Sequence, residues 1–177
     1  MSQAHSQHSQ SLCLPEELTI TPIRGYREWA FIVPEGLFIS SWDKGIWPVD
    51  GPRIATCRLG GCAEIPCEEM GDHAGMGCGL YAWHRPETFP RVTNEGFLPY
   101  IAGRTPKYWG VVETAGKSRV IKHEKGFRAS SLRIVAIADT GKEAQRAAFI
   151  YGVPCLTKRV IVKEFPPQVP YNTNLIG

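Results

Sequence analysis

"KYWGVVETAGKSRVIKHEKGFRASSLRIVAIA", residues 107–138, carries the strongest fold signal in the chain. Tyr108 to Glu113, Arg119 to Lys122 and Phe127 to Ala138 are rich in β-branched and aromatic residues, which pack well on a pleated surface. Between them, Ala115-Gly116-Lys117 and Glu124-Lys125-Gly126 carry turn chemistry. The expectation is three consecutive strands, a meander, and hence a mainly β protein.

Upstream, Thr19 to Thr21 and Trp29 to Val33 read as strands, Pro34-Glu35-Gly36 as a turn, and "LFISS" as the returning strand of a hairpin. The loop "WDKGIWPVDGPR" holds Trp42 and Trp47, so it is expected to fold back onto the core. "GLYAWH" is a short strand, whereas "RPETFPRVTNEGFLPYIAGRTP" is broken by proline and glycine into loop and turn.

Downstream, Thr140-Gly141-Lys142-Glu143 has the form of a capping box, a hydroxyl followed three residues later by a Glu. Ala144, Ala147, Ala148 and Tyr151 then share a helical face, and Gly152 with Pro154 supplies the stop. One helix over 141–151 is therefore expected to cover one side of the sheet, followed by a last strand in "CLTKRVIVKEF". The fold class is a β-rich α+β protein: a small antiparallel barrel or strongly bent sheet, one C-terminal helix and a cysteine-rich zinc-binding loop. Residues 1–12 are Ser/Gln-rich and expected to be a disordered tail containing His5 and His8, residues 13–165 a single domain, and residues 166–177 a Pro-rich tail.

That loop poses the chemical question. Cys57, Cys62, Cys67, His73 and Cys78 follow one another with four or five residues between successive members. Zinc takes four thiolate or imidazole ligands in a tetrahedron, and short spacings let a turn bring two of them onto one ion. The glycines around them permit a chain wrapped about an ion, and the stretch has few apolar side chains with which to order itself, so metal affinity would supply that order. Cys57, Cys62, Cys67 and Cys78 would make an all-thiolate structural site; exchanging Cys62 for His73 gives a Cys3His version. Cys13 and Cys155 stand apart and read as small hydrophobes.

The succession "RGYREW", "GLFIS", "ATC", "CGLYAW", "YWGVV" and "GFRAS" resembles a group of small bacterial and phage proteins with no assigned activity. These carry Ala-x-Cys, then Cys-Gly-(Leu/Ile)-Tyr-Ala, then Trp-Gly-x-Val. The resemblance spans roughly residues 22–138. Members often have a further cysteine two residues before the Cys-Gly pair; here Met76 stands there, which makes Cys67 or His73 the substitute ligand.

Composition limits the function classes. At 43% hydrophobic and 21% charged the chain is an ordinary globular one, and no run approaches the roughly 18 apolar residues of a membrane helix. The start "MSQAHSQHSQ" lacks a signal peptide's apolar segment, so a soluble cytoplasmic protein is expected, with cysteines reduced or metal-bound. Charge is asymmetric: residues 1–88 hold six Lys and Arg against eleven Asp and Glu, residues 89–177 fourteen against six, or −5 and +8. The basic half suits a polyanion. Tyr108, Trp109, Lys117, Arg119, Lys122, Lys125 and Arg128 combine aromatic and cationic side chains as nucleic-acid surfaces do.

The leading expectation is a zinc-stabilised binding module for DNA, RNA or an acidic protein. The alternatives are an enzyme using Cys78 with His73, His84 or His123, or a metal-assisted site, and a structural component of a larger assembly. Phosphate-binding Gly-Lys loops, dinucleotide fingerprints and His-Glu-x-x-His are absent from the sequence, so catalysis by those routes has no support.

Overall fold

A computed structural model describes residues 21–32, 34–40, 45–57, 64–67, 78–86, 108–123 and 125–167. The element order is β1 (Arg24–Ile32), β2 (Phe38–Ser40), β3 (Arg53–Ile54), β4 (Leu80–Trp83), β5 (Tyr108–Thr114), β6 (Val120–His123), β7 (Gly126–Ala129), β8 (Ser131–Ala138), α1 (Lys142–Ile150), β9 (Cys155–Leu156) and α2 (Lys158–Glu164). The two terminal tails of the sequence reading, apart from residues 166 and 167, lie outside the described residues. Among those residues no helix is long and apolar enough to cross a membrane.

The strands form one sheet in the order β3-β8-β5-β1-β4-β7-β6, with β2 added to β1 and β9 to β8. All pairings are antiparallel except β8 with β9. The barrel alternative is corrected: the sheet is open, ending at β3 and β6. The meander is corrected as well. Within β5 to β8 only β6 and β7 pair as chain neighbours; β5 lies between β1 and β8, and β7 pairs with β4.

Ser130 is the reason. It divides the expected Phe127–Ala138 strand in two, its N–H donating to the Arg119 carbonyl and its carbonyl accepting from Ala55 N–H at 2.8 Å. Phe127 and Ala129 face the main core, and so do Leu132 and Ile134. Strand alternation cannot carry 129 and 132 onto one face, so the chain must break between them.

Both faces of the sheet are packed. One holds the main core, in which Trp29 stacks on Phe38 (4.5 Å, 11°), Phe38 on Tyr151 (5.4 Å, 10°), and Trp47 meets Trp29 edge-on at 5.6 Å. The other holds Tyr26, Val111, Ala136, Ala138 and Ile161, with Trp109 and Phe165 against them. A bulge serves both: Val111 pairs with Ala136 and Val112 with Ile134, so Val135 is the extra residue. Ile134 and Ile137 thereby reach the main core while Ala136 and Ala138 reach the second.

Trp47 is buried as its loop was expected to require; Trp42 lies outside the described residues. Tyr151 fixes it, its hydroxyl donating to the Trp47 carbonyl (3.0 Å) and accepting from Phe38 N–H (2.9 Å). Helix α1 sets Ala144, Ala147 and Ala148 against the core, where small side chains let helix and sheet come close. At its end Gly152 N–H bonds the Phe149 carbonyl and Val153 N–H the Ala148 carbonyl, a Schellman arrangement. The capping box does not form. Gly141 is the N-cap, with no side-chain cap bond, and Glu143 accepts instead from the Tyr108 hydroxyl. The last expected strand is also corrected: only Cys155–Leu156 is extended, and Thr157 caps α2, its hydroxyl accepting from Val160 N–H at 3.5 Å. Ile161 pins that helix to the second core.

Strand β5 lies flush against β8. A Cβ on Gly110 would stand 2.2 Å from the Ala136 carbonyl oxygen, a backbone atom with nowhere to go. Gly110→Ala should therefore cost about 3 kcal/mol or more in urea unfolding; a loss below about 1 kcal/mol would contradict this packing.

Candidate functional site

The stretch between β3 and β4 reaches the sheet through Glu64–Cys67 and Cys78–Gly79. Pro66 is fully buried, and Glu64 pairs with Arg119. Gly79, at φ 112, makes the approach possible: a Cβ there would sit 3.0 Å from Pro66 Cβ and 3.3 Å from Arg128 Cβ. This docking brings Cys67 and Cys78 together. Their sulfurs are 3.1 Å apart, and Cys67 N–H donates to the Cys78 sulfur at 3.0 Å. Cys78 is buried and Cys67 half-buried.

Cys57 leaves the sheet at the same corner, since Ala55 bonds Ser130 while Leu80, two residues after Cys78, pairs with Ala129. Cys62 and His73 lie outside the described residues. Among the described residues no three His, Cys, Asp or Glu side chains form a metal-sized group. Cys155 is far along the chain in β9, its thiol pushed up by burial and by the charge of Asp139.

Arg128 ties the thiol pair to the sheet. Buried on β7, it donates from Nη1 to the Cys78 carbonyl at 3.2 Å, and its guanidinium lies 6.0 Å from the ring centre of Tyr81. Pairing of β4, β7 and β6 sets Tyr81 opposite Arg128 and Ile121, and Trp83 opposite Gly126 and His123. These residues share the face turned away from the main core. Tyr81 and Trp83 are 6.3 Å apart, and His123 is 5.8 and 6.2 Å from them. All three rings are half-buried.

The seven residues expected to form a nucleic-acid surface are dispersed. Tyr108 is in the main core, its hydroxyl pushed up to about 12 by burial and by the hydrogen bond and charge of Glu143. Trp109 packs on the second core, Arg119 pairs with Glu64, and Arg128 is buried. Lys122 and Lys125 are exposed on the β6–β7 hairpin, and Lys117 in the turn between β5 and β6. Tyr81, Trp83 and His123 were not among the seven. Tyr81 and Trp83 at i and i+2 of a strand mark one face, but which cross-strand residues join them depends on a β4–β7 pairing with no local signal.

Comparison of the chain with protein-family models, with curated proteins and with solved structures finds no match.

His84, next after β4, is buried against Phe127, and among the described residues its Nδ1 has no hydrogen-bond partner. Burial lowers its pKa from the ordinary 6.5, a hydrogen bond to the His123 backbone opposes this, and the Lys122 charge adds to the lowering. The unfolded chain thus takes up this proton at higher pH than the folded one. Stability should be complete above pH 6.5 and fall as the pH drops below it. Urea midpoints recorded across this range should decline in the native protein and decline less in His84→Gln; identical curves would remove His84 as the cause.

Proposed function

We propose that this protein is a zinc-stabilised binding domain for nucleic acid. The observation that carries the metal half is the Cys67–Cys78 pair, with sulfurs 3.1 Å apart and a backbone N–H on one of them. That N–H holds the Cys78 sulfur beside Cys67, where both sulfurs could serve one metal ion. Two Zn–S bonds of about 2.3 Å at the tetrahedral angle set sulfurs about 3.8 Å apart, so this pair needs to part by about 0.7 Å. A disulfide needs an approach of about 1 Å, to about 2.05 Å. Cys67, Cys78 and Cys57 with either Cys62 or His73 would hold the ion, a soft donor set suited to zinc. Bound there, zinc would cross-link the loop to the sheet and leave no position open for water.

The partner half is supported by charge: the second half of the chain carries fourteen basic against six acidic residues, with Lys117, Lys122 and Lys125 exposed on β6 and the turns on either side of it. Contact with phosphates releases counterions, so affinity for a single-stranded oligonucleotide should fall log-linearly with salt at a slope of about −0.7 per contact.

Two measurements test these halves. Protein purified without chelator should hold about one zinc per chain, and Cys67→Ser or Cys78→Ser should lower the melting temperature by about 5 °C or more; zinc-free protein with unchanged melting in both variants would contradict the metal. In the salt series, Lys117→Gln with Lys125→Gln should flatten the slope by about one unit. No binding at low salt would contradict the nucleic acid.

A further inference from the structure

From the β4–β7–β6 face we infer a base-stacking platform: Tyr81, Trp83 and His123 receive unpaired nucleobases of a single strand. The inference rests on the nucleic-acid reading and adds to it the site and the kind of strand.

The chemistry comes from three features. First, the rings lie on one face of adjacent antiparallel strands with neighbouring centres 5.8–6.3 Å apart. The three residues are half-buried, and their ring planes are inclined to one another by 35°, 52° and 83°, so each ring would take a base of its own. Planar side chains fixed on a strand face are what unpaired bases stack upon, and every base has such a face to offer. Second, Arg128, the cross-strand neighbour of Tyr81 on the same face, has its guanidinium 6.0 Å from that ring's centre and bonded to the Cys78 carbonyl, which adds a buried cation beside the platform. Third, cations flank the platform along a strand's path. Lys125 and Arg85 are exposed where Trp83, Gly126 and His123 meet. Across the sheet, beyond β1, the same face is covered by α2, where Lys158, Arg159 and Lys163 are exposed. A single strand laid across this face would set its bases over the rings, with cations on two sides of the platform to attract its phosphates. A duplex would not, because its bases are stacked inward.

The experiment compares a fluorescent oligothymidylate with inorganic polyphosphate, which has the charge but no bases, on the full chain and its variants. Trp83→Leu and Tyr81→Leu should each weaken the oligothymidylate at least about fivefold and leave polyphosphate unchanged. Trp83→Phe keeps a ring and should stay within about threefold of the native protein, so it reports on stacking even if a leucine variant folds poorly. Equal oligothymidylate affinity in native and leucine variants would overturn the platform while leaving the polyanion reading in place. So would equal losses in Trp83→Phe and Trp83→Leu. Failure of the native protein to bind either probe would overturn the polyanion reading and the platform with it.

Discussion

The buried guanidinium of Arg128 is the contact on which the rest of this arrangement turns. A charge taken out of water is tolerated only where it is satisfied, and here a carbonyl and an aromatic face contribute to that. The carbonyl belongs to Cys78 and the ring to Tyr81. One side chain therefore joins the cysteine stretch to the aromatic strand face. Strand β7, which carries it, is buried along its whole length between β4 and β6. Displacing Arg128 would remove the contact that links the two.

The wider sheet supplies the rigidity behind that contact. Its central strands are packed on both faces, and Glu113 on β5 shows how polar groups are accommodated. Its carboxyl is buried, which pushes its pKa up, yet Arg24 at 2.9 Å and Arg133 at 2.5 and 2.9 Å more than offset this and hold it below the ordinary value. Arg24 in turn lies over Phe165, whose carbonyl takes the Tyr26 hydroxyl, so the end of the described chain is fastened to β1. Helix α1 covers the main core and α2 the second. The half of the second face beyond β1 is where the three half-buried rings stand.

Local chemistry was legible in the sequence and long-range pairing was not. The turns at 34–36 and around Lys125 follow from glycine, proline and polar clusters, and the helical face of Ala144, Ala147 and Ala148 from its spacing. Nothing local says that β5 should pair with β1, more than seventy residues away, rather than with β6. The β-branched run Val160-Ile161-Val162 favours a strand by propensity; Thr157 at the cap and a single buried Ile161 made it a helix. Thr140 and Glu143 have the right spacing for a box, but Tyr108 claimed the carboxylate. Of the site, the cysteine cluster stood out by composition, yet that Cys67 and Cys78 would be the adjacent pair depended on Pro66 docking at Gly79. Tyr108, prominent as an aromatic near basic residues, was taken by the core.

If the zinc proposed at the thiol pair and the nucleic-acid face proposed beside it act as one unit through Arg128, metal at the first would govern binding at the second. The most direct measurement is oligothymidylate affinity at fixed low salt, by fluorescence anisotropy, before and after zinc is withdrawn with a chelator and metal content is checked on the same sample. The account predicts a fall of about tenfold or more, restored by adding zinc back. Unchanged affinity in verified metal-free protein would contradict it.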